Sequence, residues 1–255
     1  MMVKKQGIRR TVLTLSILSV LAIFLVSAGL LCRSLYEYRK GEKEYGELRQ
    51  YTAKASGQEP DPQSPGSLPA GGQEPMLAVD FEALKKLNPH IIAWIHIPGT
   101  PVSYPVTRGE DNSYYLTRTF SGAYNGAGCI FMDYRSSLPS EGGNMVLYGH
   151  NMKNGSMFGS LKRYWDNEYY REHASFYLYT AEGDNFLCHI TDRRRIPAQT
   201  DFFSNMRDKE EETGESGKAD ESGKADRDAG VTLVTCVAGK NEERLAIEAD
   251  AKRIE

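Results

Sequence analysis

Cys236 closes the apolar, β-branched run Val231–Cys236 (VTLVTC) and is followed by the turn-forming Gly239-Lys240-Asn241. A thiol is a strong nucleophile only as the thiolate, which needs an electropositive and partly exposed setting. Two residues have the chemistry to supply it. His150 ends the run Leu147-Tyr148-Gly149-His150 and is followed by the polar Asn151, while Arg244 opens the alternating run Arg244–Ala249. Imidazole moves protons near neutral pH. Guanidinium stays charged at any relevant pH, and its fork suits an oxyanion. A thiol, an imidazole and a guanidinium together make covalent attack on a carbonyl feasible. Taken singly, each has an ordinary reading as well: a small buried hydrophobe for the cysteine, a structural histidine, an exposed strand arginine. His90, His96, His173 and His189 occur without any such motif.

These residues need a scaffold of strands to hold them. Ile91–Ile97, Val102–Val106, Cys129–Met132, Asn144–Tyr148, Ser175–Thr180, Asn185–Thr191, Val231–Cys236 and Arg244–Ala249 are short runs with strand composition, separated by Gly, Pro or polar residues. Ser175–Thr180 and Asn185–Thr191 flank a Glu-Gly-Asp turn and predict a hairpin. Helical signals are few: Phe81–Leu87, a turn at Asn112–Leu116 and Met157–Trp165. The pattern predicts a mainly β fold, a barrel or sandwich with short inserted helices. A short turn usually joins antiparallel neighbours, which would bring Arg244 close to Cys236. The basic run Arg193–Arg195 reads as a solvated loop. Lys209–Asp228 is highly charged and repeats ESGKAD at Glu215–Asp220 and Glu221–Asp226, so residues 207–229 are expected to form a disordered loop.

Ahead of this region the chain changes character. Thr11–Leu31 holds no charged residue and is long enough for a transmembrane helix. Lys4, Lys5, Arg9 and Arg10 precede it, which favours a cytoplasmic N-terminus. A cleaved signal peptide or a lipoprotein cysteine at Cys32 fits less well: the apolar run is long for the first, and Leu31 stands where the second requires a small residue. The expected layout is a cytoplasmic tail at 1–10, a single-pass anchor at 11–31, a juxtamembrane segment and linker at 32–78, and an extracellular domain at 79–255. The linker includes the Pro/Gly/Ser-rich stretch Ser56–Pro75. A formal net charge of −3 gives no support to nucleic-acid binding. The cysteines (Cys32, Cys129, Cys188 and Cys236) form no CxxC or Cys/His spacing for zinc. Beyond the membrane edge they are an odd set, so at least one is a free thiol or pairs between chains.

From Asp80 to Ile254 the sequence resembles a class B sortase. The resemblance rests on Asn88–Val106 (NPHIIAWIHIPGTPVSYPV), Asp111–Leu116 (DNSYYL), Gly128–Tyr134 (GCIFMDY), Asn144–Leu161 (NMVLYGHNMKNGSMFGSL) and Thr232–Cys236 (TLVTC). It implies a sortase-type β-barrel and a membrane-anchored cysteine transpeptidase that needs no metal or organic cofactor. The implied roles are nucleophile for Cys236, proton donor for His150 and oxyanion partner for Arg244, with Asn112, Leu116 and Thr235 contacting substrate. The implied partners are surface proteins bearing a C-terminal sorting signal and an amine from a peptidoglycan precursor or a pilin lysine. Two readings compete. A papain-like protease would need its Cys before its His, the reverse of the order here. An inactive surface scaffold would keep the fold without the chemistry. The sequence also departs from the class: the helix usual before the Cys-bearing strand is hard to find among Arg193–Arg195 and the ESGKAD repeat.

Overall fold

The computed structural model describes residues 2–54, 76–197, 200–201, 203, 229–236 and 243–254. The ESGKAD repeat lies outside them, as does the expected 207–229 loop apart from Ala229, which opens a strand. The region where the sequence shows no clear class B helix lies largely outside the described residues, and Phe203, which is described, is helical. The chain forms two compact units, Met1–Lys43 and Glu44–Glu255.

Helix α1 (Met2–Leu48) accounts for the described part of the first unit. Its apolar stretch from Thr11 to Leu31 rises about 31 Å at 1.5 Å per residue, close to the thickness of bilayer hydrocarbon. The large apolar side chains from Leu13 to Leu31 are 49–67% exposed. A helix that is apolar all round, with no protein over it, suits lipid. It is long and apolar enough to cross a membrane.

The second unit starts ahead of the Val79 boundary expected from composition. Tyr45 and Leu48, in the last turn of α1, are buried in its core. After a 3-10 turn at Arg49–Tyr51, β1 (Thr52–Lys54) pairs antiparallel with β2 (Leu77–Val79). Asp80 then caps α2 (Phe81–Leu87), its Oδ1 accepting from the Ala83 amide at 2.9 Å.

The remaining strands are β3 (Ile91–His96), β4 (Ser103–Arg108), β5 (Ile130–Met132), β6 (Met145–His150), β7 (Ser175–Thr180), β8 (Asn185–Pro197), β9 (Ala229–Cys236) and β10 (Glu243–Ile254). They close into a barrel in the order β10-β8-β7-β3-β4-β5-β6-β9. The β-branched and aromatic runs read from sequence supply its core: Trp94, Ile95, Ile130, Phe131, Val146, Leu147 and Leu233 are all at most 2% exposed. Closure leaves no long open edge, which suits a fold made of such short strands. Helix α3 (Asn167–Glu172) and a 3-10 helix at Gly159–Trp165 are the short insertions; the latter takes most of the expected Met157–Trp165 helix.

The Ser175–Thr180 hairpin forms as expected, with Ser175↔His189 and Tyr179↔Asn185 as its outer pairs. Its second strand runs further. Arg193–Arg195, read from sequence as a solvated loop, are strand residues of β8 paired with Ile247, Ala246 and Leu245 of β10. Each arginine has partners. Arg193 stacks over Tyr170 and donates to the Tyr164 carbonyl, Arg194 pairs with Glu248, and Arg195 stacks over Trp165. Composition signalled solvation. The long β10 edge and flanking aromatic rings hold the run extended instead.

Candidate active site

The long crossover between β6 and β9 lets them lie parallel, in register from Met145↔Val231 through Gly149↔Thr235 to His150↔Cys236. Neighbouring strands lie about 4.8 Å apart, so the histidine and the cysteine are backbone neighbours at the same end of the sheet. On the other side of β9, β10 pairs antiparallel with Ala246 opposite Val234. The paired register ends there, and Arg244 lies two residues further along β10, where it pairs with Ile196 of β8. In between, the Leu245 amide donates to Thr235 Oγ1 at 2.9 Å. Residues far apart in sequence are thus brought together by three adjacent strands.

His150 is 8% exposed, and its Nε2 lies 2.6 Å from the Leu116 carbonyl oxygen. A carbonyl only accepts, so Nε2 carries the proton and Nδ1 is left for other chemistry. The Leu116 carbonyl is presented by a 3-10 turn at Tyr114–Leu116, started by Asp111, whose Oδ1 accepts from the Ser113 and Tyr114 amides. Those amide bonds, Tyr114 first, hold the Asp111 carboxyl below its usual range. Two glycines allow the approach. Gly128 has φ 60°, and a Cβ there would sit 2.8 Å from the Leu116 oxygen and 3.0 Å from His150 Cδ2. A Cβ on Gly149 would sit 2.5 Å from Ile130 Cδ1 and 2.7 Å from the Phe158 ring.

His150 and Arg244 both line one cavity of about 540 Å³, together with Asn112, Leu116, Phe131, Arg135, Tyr148 and Asp201. The Arg244 Nε is buried without a hydrogen-bond partner among the described residues. Buried donors are usually satisfied, which sets this one apart. Of the residues expected to contact substrate, Asn112 and Leu116 are on the cavity wall. Thr235 is not: it is 3% exposed, and its hydroxyl joins β9 to β10. Its place in the motif is explained by that strand tie.

Sequence reasoning missed a polar network in the same wall. Asp133, fully buried, accepts from Arg135 (2.8 Å), Asn112 (2.9 Å) and the Tyr148 hydroxyl (3.2 Å). Arg135 also grips both carboxylate oxygens of Asp201 at 2.7 Å. Burial pushes the Asp133 carboxyl up, but the hydrogen bonds from Arg135 and then Asn112 outweigh it and hold the group below its ordinary value. The sequence signal was the Asp-Tyr-Arg ending the apolar Ile130–Met132 run; Asp201, 66 residues beyond Arg135, gave none.

The other thiols of this unit are poor nucleophiles. Cys129 is 1% exposed and burial pushes it up to about 12; Cys188 is fully buried and is also raised by burial. Both are free. Among the described residues no cluster of three or more His, Cys, Asp or Glu is placed to hold a metal ion.

Comparison with known proteins agrees with this geometry. The sortase domain family matches residues 95–252. The chain is 32% identical over 176 residues to sortase B of Listeria monocytogenes, covering 65% of this chain and 70% of that one. It is 39% identical over 93 residues to sortase B of Staphylococcus aureus, covering 36% of this chain and 38% of the other. A crystal structure of sortase B from Bacillus anthracis superposes with a TM-score of 0.62 at 28% identity, covering 86% of this chain and all of that one. Fold, strand register and sequence converge: the chain belongs to the sortase family, in class B.

Proposed function

We propose that this sortase cleaves a C-terminal sorting motif of surface proteins at Cys236 and transfers the acyl group to an amine of the cell wall or of a pilin. The observation that carries the reading is the His150↔Cys236 register, with Arg244 on the neighbouring strand β10 and lining the same cavity as His150. The Cys236 thiolate attacks the scissile carbonyl carbon, and the oxyanion that forms is met by the Arg244 guanidinium. His150, which takes up the Cys236 thiol proton at Nδ1 as the thiolate forms, gives that proton to the departing amine, leaving a thioester on Cys236. An incoming amine attacks the thioester, an amide forms, and the thiolate departs as the proton returns to His150. Asn112 and Leu116 contact the sorting peptide from the cavity wall.

In this reading residues 1–10 stay in the cytoplasm, 11–31 cross the membrane, and the juxtamembrane segment leads into an extracellular catalytic domain whose core takes in Tyr45 and Leu48. The basic residues before the span support that orientation. The test is mass spectrometry of the full chain in detergent, incubated with a pentapeptide library and two amines, a peptidoglycan stem peptide and a lysine-bearing pilin peptide. An amide-linked product that disappears with Cys236→Ala is expected. No cleavage and no product with any peptide would leave a surface scaffold in place of an enzyme.

A further inference from the structure

We infer that Tyr45 is a positioning residue for His150, acting from the last turn of α1 through Gly128, packed against the imidazole, and through the loop that follows His150. This rests on His150 being the proton donor.

The first path runs through Gly128. The Tyr45 hydroxyl donates to the Gly128 carbonyl at 2.5 Å, across 83 residues of sequence. Gly128 is wedged so closely that an added Cβ would meet Tyr115 O, Leu116 O and His150 Cδ2 at 2.7, 2.8 and 3.0 Å. The Leu116 carbonyl is the acceptor that fixes His150 Nε2. A few tenths of an ångström of movement at Gly128 therefore reaches the imidazole and its anchor, because the interior between them has no slack.

The second path runs through Tyr104. Its ring meets that of Tyr45 edge-on, with centroids 5.3 Å apart and planes at 90°. Its hydroxyl accepts from the Met157 amide at 3.1 Å. Met157 holds a left-handed φ of 51°, faces Asn151 across an isolated bridge, and precedes Phe158, whose amide donates to the His150 carbonyl at 3.0 Å. The same tyrosine thus braces the glycine packed against the Leu116 carbonyl and the loop that returns the chain after His150. Tyr45 is 4% exposed, so the ring also fills core, but core filling asks only for the ring. The hydroxyl is what reaches Gly128.

Tyr45→Phe separates the two roles, because it keeps the edge contact with Tyr104 and removes the hydroxyl, with its bond to Gly128 and its contact with Cys129. Leu48→Ala is the structural control: Leu48 is 5% exposed in the same turn. Both are measured in the full chain in detergent, with the fluorogenic pentapeptide that the wild-type chain cleaves fastest. Tyr45→Phe is expected to lower kcat about 10- to 100-fold, leave KM within about 2-fold, and shift the His150 Nε2–H signal in nitrogen-15 spectra. Leu48→Ala is expected to lower Tm while leaving kcat and that signal in place. Wild-type kcat and an unmoved Nε2–H signal in Tyr45→Phe overturn the inference. His150→Ala distinguishes the levels: if it retains turnover, the proton-donor reading itself falls; if it is inactive while Tyr45→Phe is wild-type, only the role of Tyr45 falls.

Discussion

Replacing Gly128 by alanine asks whether the packing around His150 is as tight as its distances indicate. Two costs add at this position. An L-residue in the left-handed region loses about 1–2 kcal/mol, and Gly128 has φ 60°. The new Cβ would also stand 2.7 and 2.8 Å from two backbone carbonyls, which cannot swing aside as a flexible side chain would. Overpacking of this kind costs about 1–3 kcal/mol. Gly142 gives the matched comparison, since its φ is 72° but a Cβ there meets nothing within 4 Å. Gly142→Ala should therefore carry only the backbone term. At about 2–4 °C per kcal/mol for a unit of this size, Gly142→Ala should lower Tm by about 2–8 °C. For Gly128→Ala the corresponding drop is about 4–20 °C. Only Gly128→Ala should also reduce kcat, by about 10- to 100-fold, because relief of the clash moves the Leu116 carbonyl away from Nε2. Thermal melts and turnover of the two variants side by side are the assay. Equal melting losses, with near-wild-type turnover in both, would refute the tight contact and everything built on it.

Other perturbations address the rest of the site. Thr235→Val keeps the shape but leaves the buried Leu245 amide without its 2.9 Å acceptor, so stability should fall by about 1–3 kcal/mol in urea titrations and Thr235→Ser should restore it. Asp133 has its pKa held down in the fold, where burial raises it but the Arg135 and Asn112 bonds prevail. Its stabilisation is therefore full above the unfolded value of about 3.9 and is lost as pH falls through the folded value. Asp133→Asn should flatten the acid limb of the stability profile, and an unchanged limb would remove Asp133 from that role. Arg244→Ala should cost about 100- to 1,000-fold in kcat. Arg244→Lys should also lose much of the turnover, because an ammonium lacks the planar fork; near-wild-type rates in both would place Arg244 outside the reaction.

How much of this was legible in the sequence follows from the range of the interactions. The β7–β8 hairpin was readable because alternating runs and an intervening Gly-bearing turn are local. His150 and Cys236 were readable as candidates because each ends an apolar run, yet only the parallel β6–β9 register makes them neighbours. Arg193–Arg195 misled because charge outweighs pairing in a local window, whereas the partners Tyr170, Glu248 and Trp165 come from elsewhere. The Thr235 hydroxyl bond to the Leu245 amide was not legible, since a strand-joining hydroxyl and a substrate-facing one look alike in sequence. The Arg135–Asp201 pair and the Tyr45–Gly128 bond span long sequence separations, so they emerge only with the fold.

The central claim is that Cys236, set beside His150 by the β6–β9 register, forms the acyl-enzyme. It is tested most directly by peptide mapping of the full chain after incubation with its best-cleaved peptide and no amine acceptor. The account predicts a hydroxylamine-sensitive acyl adduct on Cys236, present in wild type and absent in Cys236→Ala. An adduct on Cys32, Cys129 or Cys188 instead, or peptide cleavage that persists in Cys236→Ala, would contradict it.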